Sequence, residues 1–543
     1  VTAVAEVAHE PLFHSDLGLF PFQVDASAST YWRWTETDEP CTLLLYDTGI
    51  GKTVISIATL AMMIEDDLVD QVLVVAEANK VLDWVKVDFP RFAPRISVKA
   101  YSGDPKRRQK ILDDPPQVLV TTYHTGRADL GDFKRVGKRQ QRTRAWDHDG
   151  PLMYFMQGKR TAIVFDEFSV LRTRGAQIYM CWERLLKTLR KQSPELQPRI
   201  IGMTATTVEG SPEDHWNACR LLSPDRAGTV QQFENTYVGA RSDVTNKVVK
   251  WNNITAADCE PGVIPLNRLF ASITQVKRKS DDDVIDFFPK KVEEPPTMVH
   301  LSAKHMDLYR SVEDVYADPE LDDLVRRQGF TLLRVLAGHP MGLINSQSQA
   351  ARDIVAAVGA PYLETLEAAK VQAMIDWQIS MGQQQTVIFT FFGQSILPLL
   401  AFRLRQEGYK ISTNHGQQSK AEGLAQRQAF ISGDNQIFLS SDAGAKGLNL
   451  GCGSALLHYE SPILYSTFVQ RSDRIHRIDS RHPSVTINTL IAKGTLEEPV
   501  TRMMLKRNDL AEKVQDSEWS EDYEPTEGFL RASDRLAMLN RAT

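Results

Sequence analysis

The sequence predicts an α/β protein with two parallel sheets, and three observations predict it. Short apolar runs recur along the chain, each followed by a helical or polar stretch. Amphipathic segments such as Val54–Ile64 and Ser395–Gln406 lie between the runs. The runs also fall into two series, separated by a region of different periodicity. Apolar strands alternating with helices imply βαβ units, with sheets covered on both faces. Two series imply two lobes.

The first series is Thr42–Tyr46, Val72–Ala76, Val118–Thr121, Ala162–Phe165 and Arg199–Met203. The second is Thr386–Thr390, Tyr409–Thr413, Gln436–Ser440, Ala455–Tyr459 and Val485–Ile491. Helical periodicity dominates from about 208 to 372, with Trp216, Leu221, Leu222, Leu324, Leu332, Leu333 and Val335. Phe287–Pro296 carries three prolines and four charged residues and is the expected linker. The expected organisation is a first lobe over 1–286, with a helical protrusion at about 208–280. A second lobe follows over 287–505, with a helical insertion at about 300–372, and an acidic tail over 506–543.

Composition narrows the class. The chain has 543 residues, 42% hydrophobic and 24% charged, which argues against disorder, collagen-like repeats and coiled coil. The net charge of −6 excludes a globally basic coat for nucleic acid but leaves room for a local basic groove. Five cysteines without a CxxC pair argue against a zinc ribbon. No run approaches ~18 apolar residues, and the N-terminus lacks a basic n-region. A cytoplasmic protein, neither membrane-bound nor secreted and nucleoid-associated if bacterial or viral, is expected.

The strongest local signal is Tyr46-Asp-Thr-Gly-Ile-Gly-Lys-Thr53, between a strand and a helix. Tyr46 stands where the strict phosphate-loop pattern wants glycine. Gly49 and Gly51 let backbone N–H groups turn toward a phosphate, and the helix N-terminus favours anions. Lys52 can reach β- and γ-phosphates, and the Thr53 hydroxyl can ligate Mg²⁺. In Ala162-Ile-Val-Phe-Asp-Glu167, a strand delivers two acids at its carboxyl end. Asp166 is the expected metal ligand, and Glu167 the group that orients and polarises an attacking water. In Gln470–Ile478, a helix would align Gln470, Arg474 and Arg477 on one face, with the arginines available to a transferring phosphoryl group.

These signals, in this order and spacing, resemble superfamily 2 nucleic-acid-dependent ATPases and, more narrowly, the Swi/Snf family of double-stranded DNA translocases. The resemblance covers residues 17 to 505. It implies two RecA-like lobes of the phosphate-loop NTPase class, with ATP and Mg²⁺ as cofactors and duplex DNA as partner. Leu19-Phe-Pro-Phe-Gln23 is similar to the adenine-reading segment and implies that Gln23 bonds the base. Val72–Trp84 resembles motif Ia, and Tyr101-Ser-Gly103 and Val120–Tyr123 resemble the next DNA-contacting segments. They imply nucleic-acid contacts at Trp84, Thr122 and Tyr123. Gly202–Thr206 resembles motif III, and Val387–Thr390 motif IV. Lys277-Arg-Lys279, Pro289-Lys-Lys291 and Leu301-Ser-Ala303 resemble the crossing into the second lobe. Ser440–Leu450 is similar to motif V and implies Gly447 at the nucleotide and Lys446 and Asn449 at nucleic acid. Lys493–Glu498 matches the segment after motif VI.

Three departures stand out: Tyr46, Phe168-Ser169 in place of Ala-His, and Glu77 in place of proline. Lys134, Arg135, Lys138, Arg139, Arg142 and Arg144 form a cluster without an acid on the first lobe; they are expected on the DNA path, with a solvated surface loop as the alternative. Asp516–Glu527 holds six acids and no base, so the tail is either solvated or a DNA-mimicking brake, with a protein partner as a further option. A monomer is expected. His215 and His476 read as polar packing groups. A strand-separating helicase and a nucleotide-gated DNA-binding scaffold remain as alternative functions.

Overall fold

The computed structural model describes residues 12–13, 18–37, 39–136, 143–205, 207, 211–241, 248–316, 323–442, 448–478 and 480–505. The chain divides into two compact units, with the boundary between Val284 and Ile285. In the first, α1 (Pro21–Glu36) precedes β1 (Cys41–Tyr46), α2 (Lys52–Glu65), β2 (Gln71–Ala76), β3 (Val98–Ala100) and β4 (Val118–Thr122). A hairpin of β5 (Gly131–Val136) and β6 (Thr143–Asp149) follows, then β7 (Thr161–Asp166) and β8 (Arg199–Thr204). A second hairpin, β9 (Val238–Arg241) and β10 (Val248–Trp251), precedes β11 (Thr274–Lys277). The sheet order is β11-β1-β8-β7-β2-β4-β3, and every pairing in it is parallel. β1 and β2 are buried along their whole length, as a sheet covered on both faces requires.

The second unit carries β12 (Lys290–Glu293), β13 (Thr297–Val299), β14 (Thr386–Thr390), β15 (Ile411–Asn414), β16 (Ile437–Ser441), β17 (Ala455–His458) and β18 (Ser484–Ala492). The order is β12-β18-β17-β14-β16-β15, with β13 also on β18, again all parallel. Both lobes are therefore α/β with a parallel sheet. All ten apolar runs are strands, most of them shifted by a residue or two at an end.

Two expectations are corrected. The linker Phe287–Pro296 contains β12, paired in register with β18 from Lys290↔Ser484 to Glu293↔Ile487. Its prolines flank the strand and its charges lie on a sheet edge, the one place where both are tolerated. The stretch from 208 to 372, expected to be helical, also holds the β9–β10 hairpin and β11 to β13. β11 was illegible because Thr274 and Gln275, both buried, break the apolar run. Among the described residues, no helix is long and apolar enough to cross a membrane.

Candidate active site

Parallel strands deliver their following loops to one edge of a sheet. In the first lobe, β1 and β7 flank β8, so the loop after β1 and the acids after β7 come from neighbouring carboxyl ends. The loop after β1 needs glycine twice. Gly49 has φ 89° and Gly51 φ 102°, both in the left-handed region. A Cβ on Gly51 would lie 2.3 Å from Gln23 Nε2, so the close approach of α1 also demands glycine. Gln23 Nε2 donates to the Ile50 carbonyl at 2.8 Å, and its Oε1 accepts from Phe20 N at 3.1 Å. The side chain expected at the base thus ties α1 to the loop. Lys52 Nζ donates to the carbonyls of Tyr46 at 2.6 Å and Asp47 at 3.1 Å. Thr53 is half-buried in the first turn of α2, which carries no acidic residue, so the helix N-terminus keeps its attraction for anions.

The departures have physical reasons. Tyr46 is buried and donates its hydroxyl to Gln275 Oε1 at 3.2 Å, while Gln275 Nε2 donates to Thr30 Oγ1 at 3.0 Å. Tyr46 thereby fastens β1 to β11 and α1. Phe168 is fully buried against Phe165, with ring centroids 5.7 Å apart. A Cβ on Gly202 of β8 would lie 3.1 Å from the Phe168 ring, so the segments after β7 and within β8 touch through packing. Glu77 follows β2 and is half-buried, and its charge opposes ionisation of Asp166.

Asp166 ends β7. Burial raises its pKa above the ordinary carboxylate value, against the pull of Lys80, a hydrogen bond from Trp84 and the charge of Lys52. Trp84 Nε1 donates to Asp166 Oδ2 at 2.9 Å, and the Tyr123 hydroxyl donates to the Asp166 carbonyl at 2.9 Å. A partly desolvated carboxylate that feels the charge of Lys52 fits a hard, oxygen-seeking cation as a ligand. Glu167 adopts φ 57° and ψ 59°, a left-handed conformation uncommon for a residue with a side chain. Such strain, about 1–3 kcal/mol, persists only where the surroundings over-determine it, and it clusters at functional sites.

Trp84 and Tyr123, expected at nucleic acid, are 1% and 3% exposed, so their side chains lie inside the lobe and serve the acid pair. Thr122 caps the helix Tyr123–Leu130 by accepting from Thr125 N at 2.9 Å. Lys134 and Arg135 lie on β5, in register with Ala145 and Arg144 of β6. The base of this hairpin is held by Phe133 and Trp146, packed edge to face at 4.8 Å. Lys138, Arg139, Arg142, Lys446, Gly447 and the acidic tail lie outside the described residues.

In the second lobe, the helix expected through Gln470, Arg474 and Arg477 covers only Tyr465–Ser472. Gln470 is on it; Arg474 and Arg477 follow in turns closed by bonds such as Arg474 N to Arg471 O at 3.1 Å. The helix stops because its next groups are engaged elsewhere. The Arg474 carbonyl accepts from Leu450 N at 3.0 Å, and the His476 ring meets the Pro289 carbonyl at 2.9 Å. Arg474 is buried and donates to Leu448 O at 3.3 Å, whereas Arg477 is half-buried. Asn449 is exposed and its Oδ1 accepts from Gly451 N at 3.1 Å.

Sequence reasoning missed Arg471. Its buried guanidinium donates through Nε and Nη2 to both oxygens of Asp442, at 2.6 and 2.9 Å, and through Nη1 to the Glu460 carbonyl at 3.3 Å. Glu460, also buried, accepts from Thr390 Oγ1 at 3.1 Å and from Phe391 N. The ends of β14, β16 and β17 are thus held to the Gln470–Arg477 segment by ions that no local motif marks.

The fold and site define a phosphate-loop nucleotide-binding protein with two α/β lobes. The SNF2-related domain matches residues 26–341, more than half of the chain, and the helicase conserved C-terminal domain matches residues 369–479. The chain belongs to the SNF2-related family. It is 23% identical over 507 residues to the CHD3-type chromatin-remodeling factor CHR7 of Arabidopsis thaliana, covering 90% of this chain and 36% of that protein. It is 21% identical over 479 residues to an uncharacterized ATP-dependent helicase of Mycoplasma pneumoniae, covering 87% and 40%. The chain therefore spans well under half the length of these two relatives. Among solved structures it is similar to the Sulfolobus solfataricus SWI2/SNF2 ATPase core in complex with dsDNA, with 19% identity, coverage of 96% and 98%, and a TM-score of 0.40.

Proposed function

We propose that the protein is a DNA-dependent ATPase that uses ATP hydrolysis to move along duplex DNA without separating the strands. The observation that supports this reading best is that the loop of Lys52 and Thr53, after β1, and Asp166 and Glu167, at the end of β7, come from the carboxyl ends of strands that flank β8, with the Lys52 charge acting on Asp166. Membership of the SNF2-related family supports it.

In this reading, the loop amides around Gly49–Gly51 and the Lys52 ammonium hold the phosphates. Lys52 would exchange the Tyr46 and Asp47 carbonyls for phosphate oxygens. Thr53 and Asp166 hold Mg²⁺, which when bound neutralises charge on the phosphate oxygens. Glu167 orients a water and accepts its proton. Arg474 and Arg477 belong to the second lobe and would offset charge on the γ-phosphoryl group, a contribution of ~10³–10⁵ in rate. Lys134, Arg135 and the basic residues beside them would contact DNA phosphates, positioning the duplex without reading its sequence.

The test is ATP turnover against duplex DNA, single-stranded DNA and RNA, paired with displacement of a third strand from a triplex and of one strand from a duplex. Turnover stimulated by duplex DNA, with triplex but not duplex displacement, is expected. Duplex unwinding would establish a strand-separating helicase, and turnover indifferent to nucleic acid would establish a nucleotide-gated scaffold.

A further inference from the structure

We infer that Trp84 is a positioning residue for the metal-binding carboxylate: its indole N–H fixes Asp166 while leaving the acid's charge available to a cation. The inference rests on the reading of Asp166 as a Mg²⁺ ligand and adds what holds that ligand in place. It begins with backbone geometry. Trp84–Asp88 is a π-helical turn between the short helices Val81–Asp83 and Phe89–Phe92. The Phe89 N–H bonds the Trp84 carbonyl, an i to i+5 closure. Pro90 supplies the reason, since it has no N–H to give the preceding turn and its ring crowds the carbonyl four residues back. One extra residue in the turn re-aims side chains, and such bulges are frequent at functional sites.

The side chain that begins this turn points inward. Trp84 is 1% exposed and tilted against Phe89, with ring centroids 5.9 Å apart. Its Nε1 lies 2.9 Å from Asp166 Oδ2, across 82 positions of sequence. Among the described residues, no other side chain donates a hydrogen bond to this carboxylate. The Tyr123 hydroxyl holds the same residue by its carbonyl, at 2.9 Å. The carboxylate is thus anchored through one oxygen and through its backbone.

The chemistry of the donor matters. A lysine or arginine in the same place would cancel the charge that a divalent cation needs. Asp442 shows that alternative, gripped at both oxygens by Arg471. An indole N–H is a donor only and carries no charge. It takes one lone pair of one oxygen and leaves the other oxygen for the metal. Hydrogen bonds of this kind to ligating carboxylates orient them, and removing one typically costs about 10- to 100-fold in metal affinity or activity.

The test compares wild type, Trp84→Phe and Asp166→Asn. Phenylalanine keeps an aromatic ring and removes the N–H. Binding of a fluorescent ADP analogue is titrated with Mg²⁺, and the Mg²⁺ midpoint is read alongside affinity without metal. Trp84→Phe should raise the midpoint about 10-fold and leave metal-free affinity unchanged. Turnover at saturating Mg²⁺ should recover toward wild type, a rescue that a merely structural role would not give. An unchanged midpoint in Trp84→Phe, with a large shift in Asp166→Asn, would overturn the role of Trp84 alone. No shift in Asp166→Asn would remove both this inference and the metal-ligand reading beneath it. A measurement that needs no variant is the indole ¹H–¹⁵N spectrum of the wild-type protein. Mn²⁺ with ADP should broaden one buried indole resonance, and Mg²⁺ with ADP should shift that same resonance. A spectrum in which no indole responds to either ion would overturn the proposal.

Discussion

The two lobes share a parallel-sheet plan but hold their functional segments by different physics. The first lobe uses backbone conformation. All three non-glycine residues with positive φ among the described residues, Asp67, Glu167 and Asn253, lie in it, as do Gly49 and Gly51 of the phosphate loop. The second lobe uses buried charge. Among the described residues, Arg334, Lys370, Glu460, Arg471, Asp473, Arg474 and Glu497 are buried there, against Arg33 and Asp129 in the first. A site made by turning main-chain N–H groups inward depends on where glycine is allowed. A site made by aiming long side chains depends on pairing each desolvated charge. The first tolerates little backbone change, and the second tolerates little loss of a partner.

The largest effects should separate binding from rate. Lys52→Ala removes a cation aimed into the loop, so nucleotide affinity should collapse and turnover vanish, as equilibrium binding and phosphate release would record. Arg477→Ala should leave affinity for nucleotide near wild type while turnover falls by about 10³-fold. Equal loss of affinity in both variants would erase the proposed division of labour.

The next effect tests the buried ions. Lys370 Nζ lies 2.6 Å from both oxygens of Glu497, with the two side chains 1% and 2% exposed, and Ala492 N adds a bond to the same carboxylate at 2.8 Å. Lys370→Met strands that carboxylate in the interior and should cost about 3–5 kcal/mol, read by chemical denaturation. The double variant Lys370→Met, Glu497→Leu should recover most of the loss, since desolvation of both charges disappears together. If the double variant is no better than the single, packing of these side chains outweighs their charge.

This contrast also explains what was legible in the sequence. The first lobe's chemistry sits in contiguous motifs, because a backbone site must be built from adjacent residues. The turn from β1 into α2 through Gly49 to Thr53 and the acids at the end of β7 could therefore be placed directly. Strand positions were readable because both sheets are covered on two faces and so read as unbroken apolar runs. The supports were not readable. Trp84 and Asp166, Tyr46 and Gln275, and Arg471 and Asp442 are pairs separated by 82, 229 and 29 positions, with no periodicity to join them. The short helix before Arg474 was misjudged for the same reason, because its end is dictated by tertiary bonds to Leu450 and Pro289. β12 was hidden by the prolines and charges that an edge strand can carry.

A smaller effect comes from His215, buried edge to face against Phe270 with its ring nitrogen 2.7 Å from Thr207 Oγ1. Burial depresses its pKa to about 4. Unfolded, the imidazole titrates near 6.5. Between those values the unfolded chain binds a proton that the folded chain does not, so stability falls as pH drops from about 6.5 toward 4. The slope is up to about 1.4 kcal/mol per pH unit. His215→Asn should flatten the dependence of stability on pH in that window by about one proton. A parallel downward displacement of the curve, with its slope unchanged, would show that the histidine is already charged in the folded state.

The smallest expected effect bears most directly on the backbone half of the comparison. Glu167 pays for its position with a left-handed conformation, φ 57°, in a lobe where glycine takes the same region freely. For an L-residue this costs roughly 1–2 kcal/mol, whereas glycine bears no such cost. Glycine in turn loses more freedom on folding, by about 0.4–1 kcal/mol. Glu167→Gly should therefore be about 0.5–1 kcal/mol more stable in denaturation than Glu167→Ala, which loses the same side chain but keeps the strain, and both should abolish turnover. Glu167→Gln keeps the side-chain shape and the strain, so its stability should match wild type while turnover is lost and bound ATP persists. Together these variants separate the cost of the conformation from the chemistry it serves. If Glu167→Gly proves no more stable than Glu167→Ala, the left-handed backbone is relaxed by its surroundings, and the first lobe holds no strain at its acid pair.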